Sequence, residues 1–247
     1  MEQVADFEAH NDFVRNISVH GIQDCMLTSS DSHSVKLWNW DSKANFTLQK
    51  EYLEHSHFVM QVKFNPKEAN FFATASLDRT IKIWNMGIDK SNITLSGHTH
   101  GVNCIDFSKD DKPLIVSGSD DKTVKVWDYK ERTCLFTLEG HENCVSAVLF
   151  HPDMPHIFSG SEDGNVLVWN RNTMKVQSTM SYYMQKVWGL SCNPNQADSV
   201  AIGYDEGTVV VKMSSDESKA SISNGKLIYA KNYEILGYNL KAIPKDD

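Results

Sequence analysis

Short apolar runs broken by turn residues recur along the whole chain, and none carries the 3.6-residue period of an amphipathic helix. One stretch shows the arrangement. Val102 to Phe107 alternates and is followed by a polar break, Leu114 to Ser117 is a short apolar run, and Gly118 to Lys122 has the composition of a tight turn. Thr123 to Trp127 alternates with β-branched residues, and Thr133 to Leu138 leads to the dipeptide Gly140-His141. This predicts four short strands in an all-β fold. The arrangement repeats. Trp38, Trp84, Trp127 and Trp169 are separated by 46, 43 and 42 residues, and His10, His55, His98 and His141 by 45, 43 and 43. Two residue types keeping one step and one phase indicate a repeat architecture rather than chance.

Four strands per period, a Gly-His dipeptide and a closing Trp resemble the WD-repeat β-propellers. The resemblance implies a buried His, Ser or Thr, Asp and Trp network pinning each blade. The matching sets are His55, Thr74, Asp78 and Trp84; His98, Ser117, Asp121 and Trp127; and His141, Ser159, Asp163 and Trp169. The first unit supplies His10, Thr28 and Trp38, with Ser32 in place of the Asp. The Asp orients the imidazole, which ties the loop before the first strand to a later turn, so these residues are structural. A fifth unit keeps its strands at Val187–Cys192, Val200–Gly203 and Thr208–Val211 but loses the His and Trp, with Glu206 at the Asp position. A sixth begins near Gly225, and Gln3 to Phe7 has the pattern of an outer strand. Expected are a propeller over 1–234, with blades at 8–50, 51–95, 96–138, 139–180 and 181–222 and partial strands at both ends, and a tail at 235–247. Five units fall short of the seven blades usual in the family, so either the ring closes with fewer blades or, as the mid-blade start favours, the chain is a piece of a seven-bladed ring.

In a propeller, equivalent turns from all blades converge on one mouth of the central channel. The residue before the structural Asp, or its substitute, is Asp31, Leu77, Asp120, Glu162 and Asp205. The residue two after the His is Asp12, His57, His100 and Asn143, and five after it stand Arg15, Met60, Asn103 and Ser146. Carboxylates repeated at one geometric position concentrate negative potential, and their natural guest is a short peptide bearing Lys or Arg. The plainer alternative is that acidic residues simply suit β-turns.

Longer stretches narrow the resemblance. They include Phe7-Glu-Ala-His10, Phe58-Val-Met60, Phe64-Asn-Pro66, Ser76 to Trp84, Asp111-Lys-Pro113, Ser159 to Gly164, Gly203 to Gly207 and Asn224 to Lys231. Together they resemble the N-terminal propellers of the coatomer beta-prime family of COPI vesicle coats. That resemblance implies membership of a vesicle coat, assembly with other coatomer subunits, and recognition of dilysine-type C-terminal signals on the basic cytosolic tails of membrane cargo. Asp12 and Asp31 fall on the family's acidic-pocket positions. The residues that hold the signal's terminal carboxylate lie in two earlier blades that this chain lacks, so weak or no dilysine binding is expected of it alone. Location in the cytoplasm, peripheral on Golgi membranes and COPI vesicles through the coat, follows from the same resemblance. The alternative is a WD scaffold of another cytosolic complex, such as a ubiquitin-ligase or RNA-processing assembly.

Composition and charge fit these readings. The net charge of −8 argues against nucleic acid and against direct adhesion to anionic lipid. Five widely spaced cysteines without a Cys-x-x-Cys read as free thiols of a reducing compartment. Met1 to Asp6 is acidic and unlike a signal peptide. His55/His57 and His98/His100 have a spacing seen in metal sites but no third ligand, so no metal or cofactor is expected. Tyr182, Tyr183 and Trp188 are expected to pack in the core or between blades, with an aromatic contact patch as the alternative. No catalytic residue is assigned, because the Ser, His and Asp recur in every unit as a feature of the fold.

Overall fold

The computed structural model describes residues 5–41, 45–193, 196–213, 220–223, 226–231 and 234–239. Every regular element among them is a strand. Four sheets have four antiparallel strands in chain order. Blade 1 is β1 (Val14–Val19), β2 (Cys25–Ser30), β3 (Val35–Trp40) and β4 (Phe46–Tyr52). Blade 2 is β5 (Val59–Phe64), β6 (Phe71–Ser76), β7 (Thr80–Asn85) and β8 (Ser91–Ser96). Blade 3 is β9 (Val102–Phe107), β10 (Leu114–Ser119), β11 (Thr123–Asp128) and β12 (Thr133–Glu139). Blade 4 is β13 (Val145–Phe150), β14 (His156–Ser161), β15 (Asn165–Asn170) and β16 (Lys175–Ser181). A fifth, three-stranded blade holds β17 (Val187–Asn193), β18 (Gln196–Tyr204) and β19 (Gly207–Lys212). These form a five-bladed β-propeller unit spanning Met1–Val211. A separate unit, Lys212–Asp247, contains a three-stranded sheet of β20 (Ala220–Ser223), β21 (Lys226–Lys231) and β22 (Glu234–Asn239).

Two expectations change. Ala5 to Phe7 is not a strand, while Gln3 and Val4 lie outside the described residues. Phe7 instead stacks on Phe46 at 4.8 Å and tilts against Trp38 at 4.9 Å, so it serves blade 1 by ring packing rather than by ladder bonds. The segment from 235, expected as a tail, pairs as β22 through Asn239; residues 240–247 lie outside the described set.

The innermost strands β1, β5, β9, β13 and β17 pack on one another in that order. Each leaves a row of backbone amides with no strand beside it, which would be costly if buried unpaired. Side chains of the preceding blade supply acceptors. Val62 N–H donates to Asn16 Oδ1 (3.4 Å), Ile105 N–H to Gln61 Oε1 (2.6 Å) and Phe150 N–H to Asp106 Oδ2 (2.7 Å). The polar members of the alternating inner strand therefore bond sideways, while its apolar members build the core. Val62, Ile105 and Val148 are buried, whereas the matching Ile17 of blade 1 is 56% exposed.

Close approach of the blades requires small residues on the second strand. A Cβ on Gly118 would lie 2.4 Å from Val145 Cγ1, and one on Gly160 would lie 2.4 Å from Val187 Cγ1. The corresponding Ala75 and Ser29 are also small. Gly118→Ala is expected to destabilise the unit by about 1–3 kcal/mol through overpacking. Urea unfolding measures this, and unchanged stability would show that Val145 moves aside freely.

Candidate functional site

Within blades 2 to 4 the sequence-predicted networks are brought together. In blade 2, Trp84 Nε1–H donates to Thr74 Oγ1 at 3.0 Å, and that hydroxyl lies 2.6 Å from His55 Nε2. His55 Nδ1 is 2.6 Å from Asp78 Oδ2. An ionised carboxylate only accepts, so the Nδ1–H donates to it and Nε2 accepts a hydrogen bond from the hydroxyl. Blade 3 repeats this through Trp127, Ser117, His98 and Asp121 at 2.8, 2.8 and 2.7 Å. Blade 4 repeats it through Trp169, Ser159, His141 and Asp163 at 2.8, 2.8 and 3.0 Å. The carboxylate also fastens the surrounding loop. Asp78 accepts from Ser56 N–H at 3.2 Å and from Thr80 N–H at 2.9 Å, joining the loop after the His to the hairpin turn.

Burial opposes the charge of Asp78 and Asp121, but bonds from the facing imidazole and the following Thr outweigh it and hold both carboxyls well below the usual range. Burial lowers His141, with Asp163 offsetting only part of the effect. Blade 1 lacks the carboxylate. His10 Nε2 meets Thr28 Oγ1 at 2.7 Å, Trp38 bonds the same hydroxyl at 3.0 Å, and Nδ1 finds only Ser34 (3.1 Å) and Ser32 (3.3 Å). Burial, with Lys36 nearby, lowers His10 to about 4. Blade 5 has no such relay. Ile202 occupies the hydroxyl position, and Glu206 accepts from Gln185 Nε2 at 2.7 Å.

The relays are walls, and the mouth they frame is the candidate site. A cavity of about 480 Å³ opens among the inner strands and the turns above them. Arg15, Met60, Leu77, Asp120, Glu162 and Trp188 line it. The turns hold these positions by a recurring backbone pairing: the N–H groups of Asp31, Leu77, Asp120, Glu162 and Asp205 each donate to a carbonyl just before the first strand of their blade. This fixed geometry is why residues about 43 apart in sequence reach one rim.

Their roles differ. Asp31, expected to meet a lysine, is only 4% exposed, and both its oxygens are taken by Arg15, by Nε at 2.7 Å and Nη2 at 2.5 Å. It anchors the guanidinium, strengthens its hold on the proton, and presents Arg15 to the cavity. Asp12 is exposed, accepts from Phe13 N–H at 2.8 Å, and does not line the cavity. Asp120 is half-buried and accepts from Asn103 Nδ2 at 2.7 Å. Glu162 meets Lys186 Nζ at 2.5 Å. Asp205 accepts from Lys186 N–H at 3.3 Å and from the Trp188 indole. The bond to Glu162, and the charges of Glu162 and Asp205, raise the Lys186 ammonium above its ordinary value.

Lys186 and Trp188 were missed as site residues. Blade 5 has lost the His used for phasing, so the counting stopped there. Aligning Val187 with Val145 places Lys186 at the Cys144 position and Trp188 at the Ser146 position, which would have found them. Trp188 lies over the mouth, Tyr182 packs against Tyr204 at 6.2 Å, and Tyr183 is 93% exposed, so the expected packing role holds only for Tyr182. His57 and His100 sit on exposed loops while His55 and His98 point into their blades. Among the described residues no group of three or more His, Cys, Asp or Glu could hold a metal, and no helix could cross a membrane. All five cysteines are free. Burial pushes Cys144, beside Asp120, and Cys192 up to about 11.

Residues 1–39, 46–85, 89–128 and 132–170 match the family described as WD domain, G-beta repeat. The chain belongs to the WD40 repeat family. Within this family it is similar to coatomer subunit beta′ of Rattus norvegicus, 48% identical over 208 residues that cover 83% of this chain and 23% of that protein. The probable coatomer subunit beta′ of Caenorhabditis elegans is 44% identical over 212 residues, 85% of this chain and 21% of that protein. Coatomer subunit beta′ of Drosophila melanogaster is 45% identical over 201 residues, covering 80% and 22%. The chain thus spans less than a quarter of these relatives. A WD-repeat propeller with these relatives points to a non-enzymatic scaffold.

The missing carboxylate of blade 1 gives a pH test. His10 is near 6.5 when unfolded and about 4 when folded, so the unfolded chain binds more protons between those values. Stability is complete above 6.5 and is lost as pH falls toward 4, by about 2 kcal/mol at pH 5 from this residue. Ser32→Asp, which rebuilds the arrangement of the other blades, is expected to recover about 1 kcal/mol of that loss. Urea unfolding at pH 7.5 and 5 compares the two. Equal losses in both proteins would remove His10 as the cause.

Proposed function

We propose that this chain is a cargo-reading propeller of the COPI coat type, assembling with other coatomer subunits and receiving the lysines of dilysine-type C-terminal signals at its acidic mouth. Its place would be the cytoplasmic face of Golgi membranes and COPI vesicles, reached through the coat. The similarity to coatomer beta′ supports the coat assignment. One observation carries the ligand chemistry: Lys186 Nζ already rests 2.5 Å from Glu162. The mouth accommodates an ammonium, and in the free chain its own lysine fills that position.

The ligand set follows. Asp120 and Glu162 line the cavity as the ammonium-facing carboxylates, Asp205 adds its charge beside Lys186 from outside the lining, and Asp31 is committed to Arg15. Arg15 adds a cation lining the same cavity, which suits a zwitterionic guest carrying lysines and a carboxylate. A charge-assisted bond of this kind contributes about 1.5–3 kcal/mol when well placed. The competing Lys186–Glu162 pair is only half-buried and is weaker than a well-placed bond of that kind.

Binding of a dilysine tail peptide to the native chain is therefore weak, because the peptide must displace Lys186. Lys186→Ala is expected to tighten it about three- to tenfold, and the gain should shrink with added salt. NMR titration against a peptide with both lysines replaced by alanine reads this. Identical affinity of native and variant chains, or an equal response to the alanine peptide, would overturn the assignment.

A further inference from the structure

A second concavity lies on the outer flank, between blades 3 and 4. This groove has a volume of about 870 Å³ and is lined by Leu114, Val126, Leu135, Phe136, Met154 and Met174 among others. Part of its apolar content, Leu135 beside Phe136, comes from an irregularity in β12. Val126 pairs with Phe136 and Trp127 with Cys134, leaving Leu135 as the extra residue of a β-bulge. A bulge re-aims its side chains, so two consecutive residues line one groove. The same bulge occurs in blades 1, 2 and 4, where the extra residue is Gln49, Asn92 and Gln177. Three blades carry an amide there, and blade 3 carries leucine. Leu135 and Phe136 are each 45% exposed, in an outermost strand where the other blades are more polar.

The groove is preformed. Arg171 bridges its two blades: its guanidinium pairs with Asp110, donates to Ser108 Oγ at 2.9 Å, and stacks 5.0 Å over the Phe150 ring. Around the apolar floor stand four carboxylates, Asp110, Asp111, Asp128 and Asp153, against two cations, Lys112 and Arg171. Asp110 is spent on Arg171 and Asp111 on Lys67 at 2.9 Å. Asp128 uses one oxygen to accept from the amides of Lys130 and Glu131, both at 2.9 Å. Its other oxygen and the exposed Asp153 carry the remaining negative charge on the rim.

We propose that this groove docks a short extended segment of another protein, with one or two large apolar side chains flanked by Lys or Arg. The apolar side chains cover Leu135 and Phe136, the flanking cations meet Asp128 and Asp153, and the open edge of β12 offers backbone groups for strand addition. A volume of this size suits a few side chains of such a segment. The inference is independent of the mouth, which lies on the inner strands rather than on β12.

The test uses the 247-residue chain and a fluorescein-labelled decapeptide, acetylated and amidated, with a central Leu-Phe pair flanked by two lysines on each side. Fluorescence anisotropy should show saturable binding that excess dilysine tail peptide does not displace. Leu135→Gln, which installs the amide of the other blades, should weaken binding about tenfold while leaving the melting temperature unchanged. Asp153→Lys should weaken it about threefold, and a peptide with glutamates for lysines should bind at least about tenfold less. The proposal is overturned if Leu135→Gln binds as well as the native chain or if the glutamate peptide binds equally. It is also overturned if sedimentation shows that the groove joins two copies of this chain in a dimer that Leu135→Gln abolishes.

Discussion

The indole N–H of each closing tryptophan donates to a buried hydroxyl, and the mouth residues of blades 2 to 4 depend on the relay that starts there. Trp84, Trp127 and Trp169 are each fully or almost fully buried. An unpaired N–H at such a position would cost about 1–3 kcal/mol, so the hydroxyl beneath it is a requirement of the fold. The hydroxyl passes the constraint to the imidazole, the imidazole to the Asp, and the Asp to the loop and turn that edge the channel. The mouth residues are displayed on backbone whose position is fixed from the core outward.

Charge at the mouth is consequently precise in place but largely neutralised within the chain. Arg15 lies on Asp31, and Lys186 lies on Glu162. The two cations separate the mouth into a guanidinium side and a carboxylate side, with Asp120 between blades 3 and 4 free of any cation among the described residues. An acidic surface with internal counter-ions discriminates among guests. In the proposed function, an ammonium guest has to compete with the tethered one, and that competition would set specificity more than raw affinity.

The fold was legible because its requirements recur. A His and a Trp repeated at one phase, with alternating β-branched runs between them, leave few architectures that bury all of those residues. The mouth was legible in part. Counting from the structural Asp placed Asp120 and Glu162 on the rim, but it could not show that Asp31 is consumed by Arg15, since that pairing is decided by side-chain reach across a strand pair. In blade 5 the turn count still reached Asp205, but the count from the His failed. With its relay replaced by Ile202 and Glu206, nothing in phase marked Lys186 or Trp188. The groove at Leu135 was invisible for a different reason. A bulge shifts side-chain direction by one residue, and only the register of β11 against β12 reveals that a leucine stands where three other blades hold an amide.

The central claim is that turns from successive blades assemble one site for an ammonium-bearing peptide. Photo-crosslinking tests it most directly, using a dilysine tail peptide that carries a diazirine next to its lysines. The account predicts adducts on Met60, Leu77 and Trp188, which line the mouth beside the carboxylates. Adducts confined to the outer strands, or no excess over a lysine-free peptide, would contradict it.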